Sequence, residues 1–157
     1  MLAYDGRPAT RDVDAVFEQS KDAVRTLSRE VASDFGLTED WLNDGVKGFL
    51  SHLDNSSRSK QFLKSYPTEE RAGLRVMVAC PEYLFAMKCL AMRLGSGERD
   101  KSDIIMLARL ANIDTAEKAF DVVSEYYPRN RIEPKTQFGL LEIFEELQYD
   151  QTGDFKQ

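Results

Sequence analysis

The stretch Arg7-Pro-Ala-Thr-Arg-Asp-Val-Asp-Ala-Val-Phe17 constrains this chain more than any other. At its centre Asp12 and Asp14 bracket a single apolar residue, and Ala15-Val16-Phe17 follows. Alternation with a period of two marks a strand, in which residues i and i+2 share a face. The pattern predicts Val13, Ala15 and Phe17 turned into a core, with both aspartates projecting from the other side. Neighbouring carboxylates repel one another unless a positive charge sits between them. A hard divalent cation such as Mg2+ meets that need, because it takes one or two carboxylates and leaves room for phosphate oxygens. Two aspartates on the wet face of a strand also stand without any metal. The choice between these readings rests on the flanking residues.

Arg7-x-x-Thr10-Arg-Asp12-x-Asp14 followed by a small apolar run resembles the signature strand of the nucleotidyltransferase superfamily. The likeness is greatest to the small bacterial minimal and toxin-type members, among them the transferase halves of abortive-infection systems. The resemblance implies that Asp12 and Asp14 hold the Mg2+ of a nucleoside triphosphate, and that Arg7 and Thr10 support the loop. Members of this kind also carry a Gly-Gly or Gly-Ser pair before the aspartates, where glycine lets backbone amides approach the triphosphate. Met1-Leu-Ala-Tyr4 reads as the last turn of a helix and Asp5-Gly6 as the turn after it. The expectation is therefore either a truncated start or a lost phosphate cradle.

Length and charge bound the rest. The chain has 157 residues, enough for one ordinary domain with a real core. With 42% apolar and 31% charged residues it reads as globular rather than disordered. A net charge of -6 argues against a general nucleic-acid coat or a membrane-surface protein, and leaves open an RNA acceptor held by a local basic patch. Cys80 and Cys89 have no metal-like spacing, and His52 is the single histidine, so a zinc site or a Cys/His nucleophile is not expected. No apolar run is long enough to span a bilayer and no signal segment opens the chain, so a cytoplasmic protein with reduced thiols is expected.

Along the chain, Ser20 reads as the cap of a helix carrying Val24, Leu27, Val31 and Phe35 at helical spacing, stopped by Gly36. Thr38 is expected to start a shorter helix that buries Leu42, Val46, Phe49 and Leu50, a reading weakened by Gly45 and Gly48. Its Trp41-Leu-Asn-Asp-Gly-Val-Lys-Gly-Phe49 run also resembles a stretch recurring in the same bacterial family, without assigned chemistry; Trp41 is read as core rather than a stacking platform. Residues 61–66 and 74–79 are short candidate strands around Pro67.

Pro81 opens a helix expected over 82–94, with Leu84, Met87, Ala91 and Leu94 on one stripe and Phe85 and Met92 on its flank. Lys88 falls in the middle of that apolar arc. Lysines are seldom buried unless their charge is met. It either snorkels to the surface or points an ammonium at phosphates. Leu84-Phe-Ala-Met-Lys-Cys-Leu-Ala-Met-Arg93 resembles the lysine-bearing helix of the family, which implies the second. Glu98-Arg-Asp-Lys-Ser-Asp103 resembles its companion motif, an Arg or Lys with two aspartates before a helix. That implies a role for Asp103, either completing the carboxylate set or orienting Lys88. Asp100 or Ser102 could equally be a helix cap. Two more helices are expected over 115–127, with Ala116, Ala119, Phe120, Val123 and Tyr127 on one face, and over 134–148, with Phe138, Leu141, Phe144 and Leu147 apolar. Arg129, Arg131 and Lys135 form a small basic cluster that could grip a phosphate or simply be solvated.

The expected fold is α/β or α+β in one nucleotidyltransferase-like domain over 1–157. A small mixed sheet with flanking helices fills 1–80, a helical half 81–149, and a frayed tail 150–157. The expected activity is Mg2+-dependent transfer of a nucleotide from a nucleoside triphosphate to an acceptor hydroxyl. The resemblance brings tRNA as a possible acceptor, and a cognate antitoxin as a possible partner. The alternative is a catalytically degenerate protein of the same fold that binds a nucleotide or a partner. No membrane is expected among its partners.

Overall fold

The computed structural model describes residues 12–92 and 98–153. The fold class is α+β: among the described residues there are five α-helices and two two-stranded sheets. The chain divides into two compact units, residues 1–50 and 51–157.

In the first unit, strand β1 (Val13–Asp14) pairs in parallel with β2 (Leu42–Asn43), in the register Val13↔Leu42 and Asp14↔Asn43. The Val13 N–H donates to Trp41 O at 2.6 Å and the Ala15 N–H to Asn43 O at 2.8 Å. Of the three side chains expected inward, Phe17 is buried and Ala15 half-buried, whereas Val13 is 41% exposed. A two-residue strand with one neighbour covers little of its own surface. Helix α1 (Lys21–Phe35) follows. Gly36 closes it at φ 64°, and the Gly36 N–H returns to Ala32 O. Ser20 stands at the other end, but at φ 49° its side chain makes no capping hydrogen bond.

The face α1 turns inward is not its apolar stripe. Ser28 and Ala32 are buried, and Trp41, expected in the core, is half-buried here with its Nε1–H donating to Ser28 O at 2.8 Å. Leu27, Val31 and Phe35 are exposed, Phe35 by 75%. The helix expected from Thr38 does not form. Asn43 Oδ1 accepts the Gly45 N–H at 2.8 Å, an Asx turn that competes with helix, and only a 3-10 turn over Gly45–Phe49 remains.

The second unit holds most of the core. Strands β3 (Lys60–Tyr66) and β4 (Leu74–Ala79) form an antiparallel hairpin close to the ranges the sequence predicts. Helix α2 (Pro81–Ala91) begins with proline at its first turn, where a missing N–H costs nothing. It buries Tyr83, Phe85, Ala86, Met87 and Cys89, which lie all round its circumference, so it is a central helix rather than an amphipathic one. Leu94 lies outside the described residues.

Three helices pack against α2: α3 (Glu98–Leu110), α4 (Ala116–Tyr126) and α5 (Pro134–Gly153). Ile104, Leu107 and Ala108 of α3 are buried, as are Ala119 and Val123 of α4. On α5 the buried set is Leu140, Ile143 and Phe144, while Phe138 is 70% exposed. The apolar residues of α5 run round the helix, and packing selects the arc beginning at Thr136, whose hydroxyl donates to Cys89 O at 3.3 Å. Gly139 lies so close to Met92 that a Cβ there would collide with the thioether.

A buried tyrosine network ties the loop before β3 to the helices. The Ser51 N–H donates to the Tyr83 hydroxyl at 2.8 Å, and that hydroxyl donates to Asp54 Oδ1 at 3.1 Å. Ser51 Oγ donates to Tyr126 O at 2.6 Å, and the Tyr126 hydroxyl to Arg58 O at 2.9 Å. The rings of Tyr83 and Tyr126 stack with centroids 5.0 Å apart. Desolvation pushes both phenols up to about 12. No helix among the described residues is long and apolar enough to cross a membrane.

Candidate functional site

Asp12 and Asp14 are both exposed, on either side of Val13 at the edge of β1. The pairing with β2 sets Asn43 beside Asp14. Gly45 lies beneath this pair: a Cβ there would sit 2.9 Å from Asn43 Oδ1 and 3.6 Å from Asp14 Oδ1. Glycine is what lets the backbone pass so close to the Asn43 side chain. Arg7 and Thr10, the expected supports of this loop, lie outside the described residues.

The donor chemistry suits Mg2+ of one particular kind. Magnesium is commonly bound by one or two carboxylates with phosphates and waters completing the octahedron. Asp12 and Asp14 would supply two hard oxygen ligands. Among the described residues no group of three or more His, Cys, Asp or Glu side chains could hold a metal. Two carboxylates alone would leave most of a Mg2+ coordination sphere to other ligands.

Beside this edge is a group of side chains the sequence reading missed. Asp44 accepts from Arg25 at 2.9 Å and is bridged by Lys47 as well. The Lys47 ammonium, and after it the Arg25 guanidinium, hold the Asp44 carboxyl below the usual carboxylate range. A shallow cavity of about 170 Å3 opens next to it, lined by Phe17, Arg29, Glu39, Asp40, Leu42 and Asn43 among others. The turn signal Asn43-Asp44-Gly45 could have located this corner, had it been allowed to outweigh the apolar spacing around it.

In the second unit, Lys88 reaches Asp103 at 2.9 Å and Asp100 at 3.9 Å. The lysine side chain is 33% exposed and that of Asp103 only 5%. The pair joins α2 to α3, with Asp103 on the inward flank expected of it. Asp100 and Ser102 both sit inside α3 rather than before it, so neither is its cap. Of the C-terminal basic cluster, Arg131 lies over the Tyr127 ring at 5.3 Å and Lys135 pairs with Glu133 at 3.1 Å.

Comparison of the chain with protein-family models, with curated proteins and with solved structures gives no match in any of the three.

Proposed function

We propose that the chain is a Mg2+-dependent nucleotidyltransferase that moves a nucleotide from a nucleoside triphosphate to an acceptor hydroxyl. The observation that carries this reading is the exposed Asp12/Asp14 pair that brackets Val13 at the start of β1. Asp12 and Asp14 hold the ion. When bound, Mg2+ neutralises the triphosphate and assists the acceptor hydroxyl. The remaining chemistry is positioning and charge neutralisation, so no cysteine or histidine nucleophile is required. The phosphate-binding role that the resemblance implies for Lys88, with Asp103 orienting it at 2.9 Å, is part of the same proposal. The toxin-type reading, with RNA such as tRNA as acceptor and an antitoxin as partner, belongs to the same proposal. So does a cytoplasmic setting, where Cys80 and Cys89 remain the free thiols they are here.

A second reading is favoured by one observation. Asp103 and Asp100 already meet the charge of Lys88, as they would in a degenerate protein that binds a nucleotide or partner without transfer. Transfer of α-labelled nucleotides with Mg2+ into total RNA and protein separates the two. Asp14→Asn should abolish labelling while leaving the circular dichroism spectrum unchanged. A fully active Asp14→Asn protein sinks the transferase reading.

A further inference from the structure

The hairpin of the second unit has an unbalanced surface. Neither strand β3 nor strand β4 holds a carboxylate, although the chain carries 27 Asp and Glu against 21 Lys and Arg. Phe62, Leu63, Tyr66, Leu74 and Met77 are all exposed, an apolar patch of the kind that marks an interaction site. The register sorts these residues by face. Leu74 lies opposite Tyr66 and Val76 opposite Lys64 on one face, Arg75 opposite Ser65 and Met77 opposite Phe62 on the other. Among the described residues no third strand pairs with either, so each strand has one edge without a strand beside it. The two edges differ. Strand β3 slips register between Phe62 and Lys64, an irregularity that blunts an edge, and it carries two lysines. Strand β4 pairs without interruption from Leu74 to Ala79, with a single charge at Arg75.

We propose that β4 takes a third strand from a partner protein, an extended segment alternating apolar and acidic residues. The surface belongs to the second unit and does not depend on the nucleotidyltransferase reading. Main-chain bonds along the edge give the segment its affinity, and its alternate side chains give the specificity. On one face its apolar residues lie beside Leu74, Val76 and Val78. On the other a carboxylate lies beside Arg75, with Lys60 on the same face one strand further in. Charge sets the choice of occupant. A second copy would build a sheet carrying Lys60, Lys64 and Arg75 twice over, with no carboxylate in any strand. A nucleic acid would meet the cations, but its bases need aromatic rings to stack on. The Tyr66 ring already lies under the Lys64 ammonium, 5.3 Å from its centroid, and Leu63, Leu74 and Met77 offer no ring at all.

The test is fluorescence anisotropy of labelled synthetic peptides of about eight residues, titrated with the full chain. The probe alternates valine and glutamate, and its control alternates valine and lysine. The glutamate peptide should bind about tenfold or more tighter than the lysine peptide. Arg75→Glu, at an exposed position, should reverse that order, which an unfolded variant could not do. Methylating alternate backbone nitrogens of the probe separates strand pairing from simple adhesion. One of the two alternate sets should abolish binding and the other leave it intact, because only one faces β4. Equal binding of the two peptides, no binding of the glutamate peptide, or equal sensitivity to both methylated sets overturns the proposal. So does a complex with oligouridylate that Arg75→Glu abolishes, which would assign the hairpin to single-stranded RNA. A dimer in sedimentation that Arg75→Glu dissociates overturns it in favour of a second copy.

Discussion

Lys88 and Asp103 were legible as a pair in type but not in strength. The spacing puts a lysine on an apolar arc and an aspartate on an inward flank, and the structure closes them to 2.9 Å. Breaking a pair of this kind leaves a desolvated charge, which costs more than the pair contributes. Lys88→Met should therefore destabilise the chain by roughly 2–4 kcal/mol, somewhat under the full cost for a buried pair because the lysine is partly solvated. Lys88→Met/Asp103→Leu should recover most of that loss. Urea denaturation of both variants checks this, and a double variant as unstable as the single one would mean that the carboxylate has other work. The cavity was illegible at this scale. Arg29, Glu39 and Asp40 look like ordinary solvated charges in the sequence, and only the contacts of α1 with the segment around β2, the Trp41 bond to Ser28 O and the Arg25–Asp44 pair, gather them.

At the scale of elements, β3, β4 and α4 were readable because local chemistry and tertiary packing agree there. Thr115, read in the sequence as the first residue of this helix, is its cap, accepting from the Lys118 N–H at 3.2 Å. Where they disagree, packing wins. The stripe of α1 is apolar by sequence, yet Ser28 and Ala32 face inward, since small side chains let Trp41 approach the helix backbone. The ends of α1 show the same conflict. Ser20 sits at a positive φ that glycine would take without strain, and it gains no cap in return. Gly36 also has a positive φ, with open space around its missing Cβ. Ser20→Gly should stabilise, and Gly36→Ala destabilise, each by about 1 kcal/mol. Thermal melts of the two variants moving in the same direction would overturn this account of the helix ends.

Across the whole molecule, apolar burial is uneven. Among the described residues the buried apolar side chains of the first unit are Phe17 and Ala32, and all the others belong to the second. A unit of fifty residues with so little core is marginal without a staple. Expressed alone, residues 51–157 should unfold cooperatively in urea, whereas residues 1–50 should give a broad, baseline-like transition. A sharp transition from the short piece would show that its stability has another source. The division after Leu50 left no mark in the sequence, because no proline, glycine or charge run punctuates Leu50-Ser51-His52. The tyrosine network beyond it was equally hidden, since it depends on residues up to 75 positions apart.

The meeting of Gly139 with Met92 has a consequence for how sequences of this fold can drift. The thioether occupies the volume that any side chain at position 139 would need, so the two positions share one allotment of space. Alanine or serine at 139 requires the Met92 thioether, the far end of a flexible side chain, to turn aside. Bulk at 139 should therefore be gained most readily in descendants where position 92 is small.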